Sequence, residues 1–180
     1  MEPRMPRSAE SRAGGVVGDR LAAAGRRFAS PAVKQAIRRR LAELAALALV
    51  ALALLGGVAL GSYDPADPSF STATARPVGN LGGPVGAHLA DILLQGLGHA
   101  AWLPVACLMG WAWRLATHQG VSPLPLRIAC LLAALPLLAG SLSLLPLPAG
   151  APSPAGPGGF IGPLVTEAGL DLLARLLGPV

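Results

Sequence analysis

The residues best suited to chemistry are His88, Asp91, Gln95 and His99. Their three- and four-residue spacing places them on one face of a helix. Imidazole, carboxylate and amide groups stacked in this way could pass a proton or hold an ion. Ionisable groups within an apolar run are functional candidates by default. The same face has a structural use as well. Its polar residues crowd one end of the run, where they would lie in the outer interface or face the interior of a bundle. Other chemistry is sparse. Asp64-Pro65 and Asp67-Pro68 set two carboxylates three residues apart, but no further oxygen ligands follow as in a calcium loop, so they read as turn initiators. Cys107 and Cys130 lie in apolar runs without metal-type spacing and read as small apolar core residues.

The elements that must carry these residues are set by hydrophobic length. Leu44 to Ser62 contains no Asp, Glu, Lys or Arg over 19 residues. As a helix it would measure about 29 Å, the thickness of a bilayer's hydrocarbon core. Lipid requires backbone polar groups to be satisfied within the span, which selects a helix. A second uncharged run covers Ile92–Trp113, and a third covers Ile128–Leu147 with Pro136 inside it. Apolar residues make up 53% of the chain and charged ones 13%. A soluble domain carries about 25% charge, so a water-facing surface could not be covered with this supply. The reading is an all-α membrane protein, a helical bundle with spans at about 41–62, 92–113 and 128–147. Residues 30–180 form the membrane domain, and residues 1–29 form a disordered, basic cytosolic tail.

Charge sets the orientation. Residues 1–40 carry a net +7 and residues 41–180 a net −2. Lys34, Arg38, Arg39 and Arg40 form a collar before the first span. Trp111 and Trp113, beside Arg114, suit an inner-interface anchor, and Arg127 closes the following loop. The linker 63–85 and the stretch 148–166 hold Arg76 as their one Lys or Arg. Positive-inside then keeps the N-terminus and the 114–127 loop in the cytoplasm and puts the 63–85 linker outside. The basic tail reads as a topology determinant attracted to anionic lipid. It has no aromatic interleaving of the kind nucleic-acid binding would need.

Local signals add detail. Ser30-Pro31 predicts a helix start that runs unbroken into the first span, as an uncleaved signal-anchor. GVALG (Gly57–Gly61) matches the small-residue pattern that lets helices approach closely. A helix from Ala87 to Leu115 would exceed the bilayer core, and Pro104 is the expected kink. PLPAGAPSPAGPGG is too rich in Pro and Gly for a helix. After it an amphipathic helix is expected at about 163–178, lying in the interface, with Asp171 and Arg175 paired. GGPVGAHLADILLQGLG (Gly82–Gly98) and IGPLVTEAGLDLLARLLG (Ile161–Gly178) echo each other, with Asp91 over Asp171 and Gly98 over Gly178. Two copies of one span-and-linker unit would leave the chain a fragment lacking its fourth span.

Arg38-Arg39-Arg40, SYDPADPSFSTAT (Ser62–Thr74), GPVGAHLADILLQGLG (Gly83–Gly98) and WAWRL (Trp111–Leu115) together resemble the N-terminal membrane domain of FtsK/SpoIIIE-type septal DNA translocases. The resemblance covers roughly residues 35–180. It implies a four-helix anchor in the bacterial inner membrane at the division septum, serving chromosome segregation. Its implied partners are membrane lipids and other division proteins. It also implies a homo-oligomer, hexameric through a motor outside this chain, where ATP and magnesium would bind. No phosphate loop GxxxxGK[ST] occurs and no lysine follows Lys34, so no ATPase, cofactor or direct DNA contact is expected of these residues. The two rivals are a small transporter or channel subunit using the His88–His99 face and a free-standing division scaffold.

Overall fold

The computed structural model describes residues 31–146 and 155–178. The expected disordered tail, 1–29, lies outside them. All regular elements among the described residues are helical: α1 (Pro31–Gly61), α2 (Gly83–Leu97), a 3-10 turn (Gly98–Ala101), α3 (Trp102–Ala116), α4 (Leu124–Ser143) and α5 (Ile161–Leu177). Among the described residues, three stretches are long and apolar enough to cross a membrane: Pro31–Gly61, Gly83–Ala116 and Leu124–Ser143.

Pro31 opens α1, where its fixed φ suits the helix and its missing N–H would have had no partner anyway. The helix then continues unbroken for 31 residues. Its basic first half shows one exposed ion pair, Arg40 to Glu43 at 2.7 Å. Such pairs contribute only a few tenths of a kcal/mol. Residues from Ala45 onward form one compact unit, and α1 up to Leu44 belongs to another.

Packing is by small side chains. Nine of the eleven buried apolar residues described are alanines, while Leu47, Leu55, Leu132 and Leu137 are exposed. In water that distribution would be inverted. In lipid it is expected, because helices associate through close backbone approach and leave bulky residues to the acyl chains. Ala59 and Leu60 of α1 meet Ala90 and Leu94 of α2 and Ala101 of the 3-10 turn, with Tyr63 and Val105 at the edges. Gly57 and Gly61 lie against Trp102, so the small-residue face of α1 receives an indole.

The break in the second apolar run falls at Gly98–Ala101, not at Pro104. Pro104 occupies the first turn of α3, where it removes no essential hydrogen bond. Gly98 leaves the helix at φ 58, a conformation that a Cβ would disfavour. The freed backbone groups turn to the second linker: Phe160 N–H donates to the Gln95 carbonyl at 2.7 Å and His99 N–H to the Pro157 carbonyl at 2.9 Å. The uncharged run Ile92–Trp113 therefore straddles a bend stitched to a distant loop.

Helices α4 and α5 make the most extensive helix–helix contact of the unit. Gly140 of α4 meets Val165, and Gly162 of α5 lies over the Ala139 carbonyl, so the backbones nearly touch. Thr166 Oγ1 donates to the Gly140 carbonyl at 3.0 Å and lies 2.8 Å from Ser143 Oγ. Farther along α5, Asp171 and Arg175 pair at 2.8 Å on an exposed face. Cys107 is half-buried and Cys130 is exposed, so Cys130 is not the core residue the sequence suggested. In a lipid-facing helix an apolar thiol needs no protein neighbours.

Candidate functional site

Site geometry begins in the linker between α1 and α2, which is a folded element. Asp64 Oδ1 accepts from Ala66 N–H at 2.9 Å, closing a turn. The buried Asp67 carboxylate accepts from Gly79 N–H and Asn80 N–H, each at 2.8 Å, drawing the two ends of the linker together. The Asp64 carboxylate thus serves a turn, as its Asp-Pro context suggested, whereas the Asp67 carboxylate bridges across the linker to amides far along the chain. Asn80 is buried between the helix ends. Its Nδ2 donates to the carbonyls of Ala59 at 2.8 Å and Ser62 at 3.2 Å, and its Oδ1 accepts from Gly82 N–H at 2.8 Å. One side chain therefore satisfies the last carbonyls of α1 and an amide at the start of α2, groups that helices cannot satisfy internally.

The centre of the site is Asp91, about two turns into α2 and only 3% exposed. Its carboxylate accepts from Tyr63 Oη at 3.1 Å, from Ser71 Oγ at 2.7 and 2.9 Å, and from Gln95 Nε2 at 2.6 Å. Ser71 N–H adds a longer bond at 3.3 Å. Gln95 Nε2 also reaches Ser71 Oγ at 2.6 Å, so the hydroxyl accepts from the amide while donating to the carboxylate. A buried charge is tolerated only when its lone pairs are met, and here the linker meets them. Tyr63 responds to this company. Burial, followed by the hydrogen bond to Asp91 and its negative charge, pushes the phenol up to about 12.

The other two polar residues of the face lie apart from this group. His88 Nδ1 donates to the Pro84 carbonyl at 2.7 Å, and its ring meets Phe70 edge-on at 4.7 Å between centroids. His99 lies on the 3-10 turn with Nδ1 enclosed and without a partner. Among the described residues, no hydrogen bond joins His88 or His99 to the Asp91 group. Lys34, Arg38, Arg39 and Arg40 are exposed along α1. Trp113 is exposed, Trp111 is half-buried, and Arg114 Nε donates to the Gly120 carbonyl at 3.1 Å within a compact turn. Arg127 is half-buried at the start of α4. No group of three or more His, Cys, Asp or Glu among the described residues could hold a metal ion.

Over residues 38–179 the chain matches the family described as the 4TM region of DNA translocase FtsK/SpoIIIE. The chain belongs to that family. Curated relatives, each a DNA translocase FtsK, agree. The protein of Azospirillum brasilense is 40% identical over 83% of this chain and 24% of its own length. That of Bradyrhizobium diazoefficiens is 36% identical over 77% of the chain and 17% of its own length. That of Agrobacterium fabrum is 37% identical over 71% and 14%. The chain thus spans a quarter or less of these relatives. The part matched is the membrane region of FtsK and not its motor, and it is non-catalytic. No solved structure matches it. This FtsK 4TM region is embedded in the membrane by helices of the required length.

Tyr63, Ser71 and Asn80 were missed as site residues. A signal was present: in a chain with so few polar residues, the hydroxyls of SYDPADPSFSTAT and the lone Asn in GNLGG needed partners. Nothing local identified Asp91, 20 residues beyond Ser71, as one of them.

Proposed function

We propose that this domain anchors a DNA translocase in the bacterial inner membrane at the division septum, for chromosome segregation. Residues 30–180 form the anchor, the basic residues 1–29 stay in the cytoplasm, and the 63–85 linker faces outward. The excess of Arg before α1 and in the 114–127 loop supports that orientation. The observation that carries the reading is the fixed shape of the outward linker. Asp91, Asp67 and Asn80 pin its backbone, while Phe70 (76% exposed) and Leu81 project from it. Rigid apolar residues on a pre-organised loop are suited to docking other division membrane proteins with little ordering cost. Motor activity, ATP, magnesium, DNA contact and hexamer formation belong to the remainder of the translocase; this region takes no cofactor.

The arrangement favours this structural role over an ion path. Both Asp91 oxygens are engaged by the linker, His88 is turned to the Pro84 carbonyl, and no hydrogen bond among the described residues joins His99 to Asp91. The test is imaging of the full chain carrying a cytoplasmic-side fluorescent fusion in dividing cells. A band at the septum is expected, weakened in Asp91→Ala; even distribution around the membrane would overturn the proposal. Labelling of Ser69→Cys by an impermeant maleimide from outside the cell checks the orientation.

A further inference from the structure

A cavity of about 450 Å³ lies between α3 and α4, lined by Leu103, Cys107, Trp111, Leu131, Ala134 and Arg127 among others. That volume is within the ordinary range for a small-molecule site. Its walls are apolar except at Arg127, the one charged side chain of the lining. The Arg127 Nε is shut off from solvent and has no hydrogen-bond partner. Nor does any carboxylate neutralise it: the ion pairs among the described residues are Arg40–Glu43 and Asp171–Arg175. Arg114, at the end of α3, differs in having its Nε satisfied by the Gly120 carbonyl. Arg127 thus brings a charge with no ion-pair partner to the wall of an otherwise greasy chamber, and no protein group satisfies its enclosed Nε.

The chamber's surroundings define the ligand. Trp111, Trp113 and Arg114 mark this end of α3 as the headgroup level of the bilayer, and Arg127 lies in the first turn of α4 beside it. No side chain caps the start of α4, so its positive dipole end adds to the attraction for an anion. Guanidinium is matched in shape to phosphate oxygens, and basic pockets between membrane helices take lipid head groups. A larger cavity of about 500 Å³ between α1 and the second helical run is a natural contrast, since it is lined by Leu55, Gly56, Val85, Leu93 and similar residues and holds no charge. It offers nothing to distinguish one lipid from another.

We propose that the α3–α4 cavity binds one anionic phospholipid, its phosphate on the Arg127 guanidinium and an acyl chain against Leu103, Cys107, Leu131 and Ala134. A free phosphate would satisfy the guanidinium but leave the apolar walls empty. The site depends on membrane embedding and not on a septal role. The experiment is native mass spectrometry of the purified full chain in mild detergent with phosphatidylglycerol, phosphatidylcholine or inorganic phosphate. The wild-type chain should retain one phosphatidylglycerol in preference to phosphatidylcholine, and excess inorganic phosphate should not displace it. Arg127→Gln should lower that preference by about tenfold, the loss of a charge-assisted contact. Ala134→Leu, which narrows the cavity and leaves the charge, should also lower retention, while Arg114→Gln should keep it. Undiminished preference in Arg127→Gln and Ala134→Leu would overturn the proposal. So would displacement by inorganic phosphate alone, which would make the site one for free anions.

Discussion

Two helix–linker–helix pairs make up most of the described chain, and they are fastened by opposite means. In the first, α1 to α2, side chains hold the linker: Asp67, Asn80 and Asp91 engage its amides and hydroxyls. In the second, α4 to α5, the fastening is backbone against backbone. Gly98 and Gly159, at φ 58 and 62, pass so closely that a Cβ on either would strike the other strand, and Gly158 and Gly162 lie on the Ala139 carbonyl. The aligned residues Asp91 and Asp171 show the contrast directly. Asp91 is buried among linker donors, whereas Asp171 faces out and pairs with Arg175 on its own helix. What the two stretches do share is punctuation: Gly-Pro near each helix start, and a terminal glycine at φ 58 in Gly98 and 72 in Gly178. The echo extends to starts and stops, while each linker is tied down by different means.

The largest effect should come from breaking the glycine contact. Gly98→Ala places a methyl group into the Pro157 carbonyl oxygen and forces an alanine to positive φ. Strain and overpacking together should cost about 3 kcal/mol or more, read as a lower midpoint in reversible detergent unfolding. Next comes Asp91→Ala, which leaves Tyr63, Ser71 and Gln95 without their acceptor. A loss of about 1–3 kcal/mol is expected in the same titration. The aligned Asp171→Ala should cost only a few tenths of a kcal/mol, because exposed i,i+4 pairs contribute little. Equal losses for the two aspartates would erase the distinction between the halves.

A smaller effect concerns pH. Tyr63 is the chain's single tyrosine, so its phenolate absorbance is an isolated signal. The folded phenol is raised from 10.0 to about 12 and therefore stays neutral where the unfolded one ionises. Its contribution is fully present below pH 10 and is lost as pH rises through about 12. Titration of the wild-type chain should show the late ionisation, and Asp91→Ala should bring it back toward the ordinary value. A phenol titrating normally in the intact chain would mean that Tyr63 does not face Asp91.

Much of the helical layout was legible because it depends on local pattern. Run length and the arginine collar revealed α1, and Pro31 marked its start. Asp64-Pro65 signals a turn, and one forms there; the reach of the Asp67 carboxylate to Gly79 and Asn80 has no local signal. The bend in the second run was not legible, because the apolar pattern continues through Gly98 and Pro104 is the more obvious breaker. Gly98 is a stop only because Pro157 and Phe160, some 60 residues later, accept and donate the bonds its helix gives up. The polar face was visible as a spacing, but its division was not. Helical periodicity places His88, Asp91, Gln95 and His99 together; it carries no information about the linker that takes Asp91 and Gln95, or about the turn that carries His99 away.

The most direct test is residue-resolved amide hydrogen exchange across the first linker, in the intact chain and in Asp91→Ala. The amides of Ser71, Gly79 and Asn80, each bonded to a carboxylate, should exchange slowly in the intact chain. Ser71 should become fast in the variant, while Gly79 and Asn80, held by Asp67, should stay protected. Fast exchange at all three amides in the intact chain would contradict a folded outward linker, and with it the docking role built upon it.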